Sequence, residues 1–382
     1  MSKKIKMNRL TASVNHMEGD RVPISDSFWS GFISMACDKW GNSYDLYRKF
    51  DLDYIIISPN MDPVIMDFEI IHSEGKDITV KTGFGATVTR RADFPMPHYV
   101  SFAITEPEQM ADFVLEPAGD IRRIFRSGQD QINCLGDCLS GPIPCWNDRV
   151  DSYVEDFPVF GGICEGYEYL WRCIGTTNAL MWMMTDENEM SVFIERLGEF
   201  LVELTRIQAA DKRLSGICIY GDVAYGKGMM FSPALWKKHF KPITKKIIEV
   251  CREANLITLY HGCGNAVQIY DDLIEIGLDA YHPLEVKAGL DVIKLKDQYG
   301  DKLTFVGNID VMILESGDEN LIEKEVLTKL KAALGGGYIM QSDHSVSSNV
   351  SLESYEFMLS LIKEYGNYPL DIERIENRLL LL

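Results

Sequence analysis

Residues 256–284 read LITLYHGCGNAVQIYDDLIEIGLDAYHPL. Residues 256–260 form a short apolar run, and a second such run follows at residues 280–284. Between them, apolar side chains recur at helical spacing over residues 266–276, and Gly277 supplies a typical helix end. The stretch therefore predicts a strand, a covering helix and a second, parallel strand, which is the repeating unit of an α/β sheet.

The same alternation continues along the chain. Apolar runs of strand character are separated by longer amphipathic stretches, as expected for a parallel sheet that helices cover. The runs lie at residues 22–26, 54–58, 158–162, 216–220, 256–260, 280–284, 303–307 and 337–341. Eight strands close a (β/α)₈ barrel. Because we find no internal repeat and no low-complexity linker, we expect one barrel domain over residues 1–382.

Residues 62–102 depart from this alternation. Polar and apolar side chains alternate at residues 77–81 and 86–90, which indicates antiparallel strands, and Gly83 and Gly85 suit the turn between them. We predict a β-hairpin insertion after the second barrel strand, forming part of a lid.

The composition narrows the classes of function. The formal net charge is −19, and phosphate binding needs a basic footprint, so nucleic acids and anionic membranes are disfavoured as partners. The sequence contains no apolar run long enough for a membrane span and no signal peptide, so we expect a cytoplasmic protein. The apolar residues 379–382 are expected to pack on the body or on a partner chain, which leaves a homodimer open.

Polar residues follow the predicted strands, where an α/β barrel carries its active-site groups. They are Asp26, Asn60, Asp62, Glu165, Asp222, His261, Cys263, Glu285, Asn308, Asp310, Asp343 and His344. His261 and Cys263 are the most specific pair, because an imidazole and a thiolate in one glycine-rich turn suit a zinc ion. The alternative is a core histidine beside a buried cysteine.

A catalytic metal site needs a third ligand. Glu285 ends the strand after His261, and neighbouring strand ends of a barrel lie close together. A neutral imidazole, the Cys263 thiolate and the Glu285 carboxylate balance the charge of Zn²⁺ and leave one position for substrate. His282 is the rival donor.

Several motifs in the chain resemble those of one enzyme superfamily. They are Asp20-Arg-Val-Pro23, Ser232-Pro233 at the start of a helix, Tyr260-His-Gly-Cys-Gly-Asn265, Val306-Gly-Asn-Ile-Asp310, Gly336-Gly-Tyr-Ile-Met-Gln-Ser-Asp-His344 and Tyr365-Gly-Asn-Tyr-Pro369. In this order they are similar to the uroporphyrinogen decarboxylase superfamily, over almost the whole chain. The resemblance implies a (β/α)₈ barrel.

The superfamily has two branches that the sequence separates. The decarboxylases grip the carboxylates of uroporphyrinogen with an N-terminal arginine-rich motif and need no metal, whereas the corresponding residues 25–31 contain no arginine. The other branch comprises zinc-dependent, corrinoid-linked methyltransferases. Their His-x-Cys metal motif falls on His261 and Cys263, so the resemblance implies a methyltransferase.

The third metal ligand in this chain differs from the one found in that branch. Its members have a further cysteine near the last strand, and here no cysteine follows Cys263. Glu285 lies about where members similar to methionine synthase place a ligating glutamate. The resemblance therefore implies zinc on His261, Cys263 and Glu285 and leaves a fourth protein ligand unassigned. With fewer thiolates the ion is a harder Lewis acid, which suits an ether oxygen better than a thiol.

We therefore hypothesise transfer of a methyl group from a small methoxy compound, first of all a methoxyarene, to cob(I)alamin. The sequence has no Asp-x-His-x-x-Gly pattern of a cobalamin-binding domain, so we expect the corrinoid on a separate partner protein. The alternatives are a methylcorrinoid:thiol methyltransferase, a uroporphyrinogen decarboxylase and a non-catalytic barrel.

The remaining polar and aromatic residues at the strand ends are assigned roles around the metal. Phe28, Trp29, Asn60 and Met61 are expected to bind the methyl donor. Asp222, Asn308, Asp343 and His344 are expected to orient the substrate or to support His261, and Asp343 and His344 are also later candidates for metal ligation. The sequence does not fix their distance from Cys263.

Overall fold

A seven-stranded parallel sheet forms the centre of the protein. The computed structural model describes residues 2–41, 45–66, 69–75, 77–91, 96–126 and 145–382. In these residues the strands are β1 (Ile55–Ile56), β2 (Glu69–Glu74), β3 (Asp77–Lys81), β4 (Thr87–Arg91), β5 (His98–Ser101), β6 (Val159–Cys164), β7 (Leu214–Tyr220), β8 (Ala224–Tyr225), β9 (Gly228–Met229), β10 (Ile257–His261), β11 (Ala280–His282), β12 (Thr304–Ile309) and β13 (Tyr338–Ser342). The order in the parallel sheet is β1-β6-β7-β10-β11-β12-β13. The predicted parallel α/β sheet is confirmed.

Helices connect the parallel strands and pack against them. They are α1 (Lys3–Val14), α2 (Ser30–Trp40), α3 (Leu46–Phe50), α4 (Arg122–Phe125), α5 (Trp146–Tyr153), α6 (Gly166–Ile174), α7 (Thr176–Thr185), α8 (Glu187–Ala210), α9 (Pro233–His239), α10 (Lys241–Glu253), α11 (Tyr270–Glu275), α12 (Val292–Tyr299), α13 (Val311–Ser316), α14 (Glu319–Leu330), α15 (Leu352–Tyr365) and α16 (Ile372–Leu379). Short 3₁₀ turns lie at Pro107–Asp112, Val267–Ile269, Val286–Ala288 and Lys331–Ala333. Ser232 caps α9 as its sequence indicates, since its side chain accepts a hydrogen bond from the amide of Leu235.

The sheet curls around a buried apolar cluster. The cluster comprises Leu10 of α1 together with Tyr54, Phe160, Cys218, Leu259, Ala280, Val306 and Ile339 from the sheet strands or their starts. Strands β6, β12 and β13 are buried at every residue, as expected where helices cover one face of a sheet and this interior fills the other. The curl brings the carboxyl ends of the strands to one rim.

Residues 22–26, predicted as the first barrel strand, form only an isolated parallel bridge from Ile24 to Met340. The segment nevertheless bonds to both edges of the sheet. The amide of Ser25 donates to the carbonyl of Met340 on β13, and the amide of Asp53, just before β1, donates to the carbonyl of Ile24. Pro23 lacks an amide hydrogen, and the amide of Ile24 donates to the Asp53 carboxylate at 2.7 Å, so regular pairing is interrupted.

Residues 69–101 contain a separate four-stranded antiparallel sheet in the order β2-β3-β4-β5. The two strands predicted at residues 77–81 and 86–90 are present as β3 and β4, joined by a turn through Gly83 and Gly85. Positions 67–68, 76 and 92–95 of the predicted insertion lie outside the described residues. That this sheet is an insertion into a barrel, and part of a lid, stays a prediction.

Among the described helices, none combines the length and the apolar character that a membrane crossing requires. The described cysteines are free thiols.

Candidate metal centre

The turn after β10 presents the first two donors. His261 is the last residue of β10, and Cys263 follows in the turn. The amide of Gly262 donates to the carbonyl of His282 at 2.7 Å, and the hydroxyl of Tyr281 donates to the carbonyl of Gly262 at 2.9 Å. The neighbouring strand β11 therefore fixes the backbone between the two donors.

The other side of the turn is held by the segment after β7. The amide of Cys263 donates to Oδ1 of Asp222 at 2.8 Å. Gly264 has a φ of +80°, and a Cβ at this position would lie 2.7 Å from the backbone of Tyr225. Only glycine meets both conditions, which explains the glycine that follows Cys263.

His261, Cys263 and Asp222 point their polar atoms at one another. Nε2 of His261 lies 3.5 Å from Sγ of Cys263 and 3.6 Å from Oδ1 of Asp222. A ligand atom from each of the three residues lies within 4.8 Å of the other two.

A second group shares Cys263. Ligand atoms of Cys263, Glu285 and His344 also lie within 4.8 Å of one another. Glu285 follows β11 and is 5% exposed, whereas His344 follows β13. The side chain of Asn265 ties the loop after β10 to the loop after β11, because its Nδ2 donates to the carbonyl of Ala288 at 3.1 Å. Carboxyl ends of three parallel strands thus converge on one thiol.

The donor set fits a zinc ion. Zinc takes imidazole, thiolate and carboxylate ligands, and all three types are present. Nitrogen at about 2.0 Å and sulfur at about 2.3 Å from a tetrahedral zinc lie about 3.5 Å apart. The Nε2–Sγ distance between His261 and Cys263 is 3.5 Å, so this pair already has the required spacing.

The electrostatics of the group favour a cation. Burial raises the pKa of the Cys263 thiol well above its ordinary value, and the carboxylates of Asp222 and Glu285 raise it further, whereas Lys287 acts in the opposite direction. Lys287 Nζ lies 3.9 Å from Oε2 of Glu285 and is 61% exposed. One exposed ammonium offsets little of this negative charge. A divalent ion would favour the thiolate form directly.

Comparison with known proteins supports the resemblance found in the motifs. The sequence model of the family uroporphyrinogen decarboxylase (URO-D) matches residues 152–365, which is more than half of the chain. The chain belongs to the URO-D family. A solved structure, a methyltransferase from Methanosarcina mazei, has a TM-score of 0.63 and 17% sequence identity over 94% of this chain and 98% of that one. At this identity the likeness shows a shared fold. A comparison with curated proteins gives no match.

In this member of the URO-D family, the rival donor His282 is not in either group around Cys263. It lies in the interior of the sheet, with Nε2 3.7 Å from Sγ of Cys218 and its ring centroid 4.7 Å from that of His261. Burial, and then the neighbouring His261, lower the pKa of His282 well below its ordinary value. The ring is therefore a neutral packing partner of His261.

Two predicted residues support the site without joining the donors. Asp343 accepts hydrogen bonds from the amides of Val286 (2.9 Å) and Val311 (3.0 Å), so it ties the Glu285 loop to the start of α13. Burial raises the pKa of Asp343 to about 6. Asn308 is fully buried, and its Nδ2 donates to the carbonyl of Leu284 at the start of the same loop, while its predicted role in orienting substrate or supporting His261 stays a prediction.

The residues predicted to bind the methyl donor divide into two sets. The ring of Trp29 lies edge-on to His344 with centroids 5.0 Å apart, so Trp29 borders the donor group. Phe28 instead stacks on Phe32 at 5.3 Å and contacts Tyr355, and it packs against the main core. From the sequence alone, an aromatic residue at a strand end looks the same whether it borders the site or packs in the core.

Asn60 and Met61 lie in a segment that two other buried side chains hold. Nη1 of Arg123 donates to the carbonyl of Asn60 at 3.2 Å, and the hydroxyl of Tyr169 donates to the carbonyl of Met61 at 2.8 Å. Neither residue belongs to the donor groups around Cys263.

Other polar residues at strand ends are helix caps. Glu165 caps α6 and accepts from the amide of Tyr167, and burial raises its pKa to about 7. Asp310 caps α13 and accepts from the amide of Met312.

Two residues that the sequence did not indicate, Asn265 and Tyr281, fix the turn that carries Cys263. The signal for Asn265 was its place in the Gly-Cys-Gly-Asn motif.

Proposed function

We propose that this protein is a zinc-dependent methyltransferase that moves a methyl group from a methoxy compound to cob(I)alamin on a separate corrinoid protein. The supporting observation is the convergence of His261, Glu285 and His344 on Cys263 at one rim of the parallel sheet. Active sites of α/β barrels lie at this rim. The proposal includes a single domain that forms a closed (β/α)₈ barrel. Residues 22–26 are its first strand and complete the eight by lying between β13 and β1.

In the proposed site the zinc ion is held by Cys263, which both donor groups share, together with His261 from one group and Glu285 from the other. The thiolate and the carboxylate balance its charge, and three protein ligands leave one position for substrate. When bound, zinc supplies Lewis acidity toward the ether oxygen of the methyl donor.

The surrounding residues of the chain orient the ligands and the substrate. Asp222 holds the amide of Cys263 and lies beside Nε2 of His261, so it fixes the spacing of these two ligands. His344, whose ligand atom lies within 4.8 Å of those of Cys263 and Glu285, is assigned the hydrogen bond to the oxygen that loses the methyl group. Trp29 lies edge-on to His344 and offers an aromatic wall for a flat substrate.

The types of ligand atom at the site favour a methoxyarene as the methyl donor over a thiol as the methyl acceptor. Cys263 is the only thiolate in the two donor groups, and no cysteine follows it in the sequence. A zinc ion with few thiolates is a harder Lewis acid and suits oxygen. In the transfer, the methyl–oxygen bond breaks with its electrons on oxygen, and cob(I)alamin supplies the electron pair of the new carbon–cobalt bond.

Uroporphyrinogen decarboxylation has less support. Residues 25–31 contain no arginine. The arginines just before them lie at the opposite end of the sheet, where Arg9 and Arg21 are buried and both pair with Asp53. They are not placed to bind substrate carboxylates at the rim that carries Cys263.

The proposal is tested by metal analysis and by a methyl-transfer assay. Purified wild-type protein should hold close to one zinc per chain and convert cob(I)alamin to methylcob(III)alamin with a methoxyphenol under anaerobic conditions. His261→Ala and Cys263→Ser should lose both properties. His72→Ala and Cys145→Ser, at residues outside both donor groups, are the matched controls.

Other outcomes would replace this function. Methylation of a free thiol from methylcobalamin, without turnover of methoxyarenes, would make the protein a thiol methyltransferase. Release of CO₂ from uroporphyrinogen by metal-free protein would restore the decarboxylase assignment. A fully active His261→Ala, Cys263→Ser double variant would end the zinc mechanism.

A further inference from the structure

Asn308 stands at the carboxyl end of β12 with a left-handed φ of +74°. Its buried side chain makes four hydrogen bonds. Nδ2 donates to the carbonyls of Leu284 (2.9 Å) and Leu290 (3.0 Å), and Oδ1 accepts from the amide of Val292 (2.9 Å) and from Nζ of Lys329 (2.7 Å). These bonds use both amide hydrogens and both lone pairs of the asparagine.

Three of these bonds, to Leu284, Leu290 and Val292, join the two ends of the loop that carries Glu285. The carbonyl of Leu284 immediately precedes Glu285, and the amide of Val286 immediately follows it. That amide donates to Oδ2 of Asp343 at 2.9 Å. The backbone on each side of Glu285 is therefore tied to a buried side chain at the carboxyl end of β12 or β13.

Lys329 determines which way the Asn308 amide faces. It reaches Asn308 from α14, is 8% exposed, and its Nζ lies 3.9 Å from Oε1 of Glu325. An ammonium group only donates, so the atom of Asn308 beside it must be the oxygen. The NH₂ group of Asn308 then faces the two loop carbonyls.

We propose that Asn308, oriented by Lys329, is a positioning residue that holds Glu285 in place for metal binding and so sets the affinity of the site. This inference rests on the proposed function, in which Glu285 is a zinc ligand. Groups that orient metal ligands typically change metal affinity by about 10- to 100-fold when they are removed.

If Asn308 and Lys329 only stabilise the fold, their removal should lower the melting temperature and leave the zinc affinity unchanged. The chain offers a matched control for this case. Lys296 is also partly buried, and its Nζ donates to the carbonyls of Gly336 (2.7 Å) and Gly300 (3.2 Å) next to the amino end of β13. Lys296→Met therefore removes a comparable brace at the end of the sheet far from Cys263.

The experiment measures zinc affinity by competition with a chromophoric chelator, and the absorption spectrum of the Co²⁺-loaded protein, in five forms. They are wild type, Asn308→Gly, Lys329→Met, Lys296→Met and Glu285→Gln. Glycine keeps the left-handed backbone while removing the brace. Asn308→Gly should bind zinc about 10- to 100-fold more weakly, with an altered Co²⁺ spectrum, and Lys329→Met should shift affinity in the same direction by less.

Lys296→Met should melt at a lower temperature and bind zinc as wild type does. Wild-type zinc affinity in both Asn308→Gly and Lys329→Met, together with weak binding by Glu285→Gln, would overturn the positioning role alone. Wild-type affinity in Glu285→Gln would instead remove Glu285 from the ligand set, and with it the proposed function in its present form. If Asn308→Gly does not fold, Lys329→Met decides the question.

Discussion

The two ends of the parallel sheet both bury charged side chains, but they arrange them in opposite ways. At the amino end, Asp53 is fully buried between Arg9 and Arg21. Arg9 also donates to Asp20, and Lys6 lies 3.2 Å from Asp51. Asp20, Asp51 and Asp53 are therefore each paired with a cation from the chain itself.

At the carboxyl end the acidic groups outnumber the cations beside them. Asp222 and Glu285 lie next to the Cys263 thiol, and Lys287 is the cation that acts on it. The Glu285 side chain is 7% exposed and its cation, Lys287, is 61% exposed, so the buried carboxylate is poorly compensated. Such burial of negative charge is costly, whereas a metal ion relieves that cost. The paired charges at the amino end stabilise the fold by themselves, whereas the facing donors at the carboxyl end are expected to need a cation.

The largest effect should follow removal of metal from the carboxyl end. Chelator-treated wild-type protein should lose methyl transfer completely and regain it with added zinc. Zinc at about 1,000 times its dissociation constant should stabilise the folded protein by about 4 kcal/mol. Thermal melts with and without zinc measure this stabilisation. Cys263→Ala should melt at the same temperature in both, and a zinc-dependent shift in that variant would contradict the site.

The next largest effect should follow a substitution that breaks the charge cluster at the amino end of the sheet. Asp53→Ala leaves Arg9 and Arg21 buried beside a missing partner, so the free energy of unfolding should fall by about 3–5 kcal/mol. Urea unfolding monitored by circular dichroism gives this value. The folded fraction should still bind one zinc per chain, and loss of metal from folded protein would show that the two ends are not independent.

The two ends should also differ in their response to pH. Burial raises the pKa of Asp26, at the carboxyl end, from its ordinary value of 3.8 to about 7. Hydrogen bonds from Arg9 lower the pKa of Asp20, at the amino end. A raised pKa means that the folded state holds the proton more tightly. The stability from Asp26 is therefore full below about pH 4 and is lost as the pH rises to about 7, while that from Asp20 is lost only as the pH falls below its ordinary pKa.

Asp26→Asn isolates the contribution of the carboxyl end. Between pH 5 and pH 8 the wild type should lose up to about 3 kcal/mol of stability relative to this variant, given about 1.4 kcal/mol per pH unit for one group. Urea unfolding of both proteins at equal metal content measures the difference. A constant difference at the two pH values would show that Asp26 stays ionised in the folded protein.

The smallest effect should come from the wall of the proposed substrate position. Trp29→Leu removes the edge-on contact with His344, and such aromatic pairs contribute about 0.5–1.5 kcal/mol. We expect a KM for the methyl donor that is roughly 2- to 10-fold higher, with zinc content unchanged. Phe28→Leu, on the core side of the same segment, should lower the melting temperature and leave KM as it was.

Sequence predicted best what depends on local pattern. The apolar run before His261 and the glycines around Cys263 specify a strand and a tight turn by themselves. The approach of His344 to Cys263 depends on how β13 registers against β12 and on the curl of the sheet, which no short motif encodes.

Two predicted site residues have packing partners that the sequence does not indicate, so their predicted roles stay predictions. Phe28 is apolar and at a strand end, so nothing local distinguishes a core side chain from a pocket wall. Asn308 is polar at a strand end, but its left-handed backbone and its bond to Lys329 turn it toward a loop. Both outcomes are decided by packing partners that are distant in sequence.

The seam between the first and last strand positions has a consequence for synthesis of the chain. The hydroxyl of Ser13 donates to the carbonyl of Tyr338, and the amide of Met340 donates to the carbonyl of Pro23. These partners are more than 300 residues apart, so the contacts are of very high sequence separation. A ribosome adding about 5–20 residues per second needs some 15 seconds or more to make the second partner. Throughout that time the early segment can bond to the residues just before β1 but lacks its partner strand β13, and we expect the growing chain to depend on chaperones until that strand emerges.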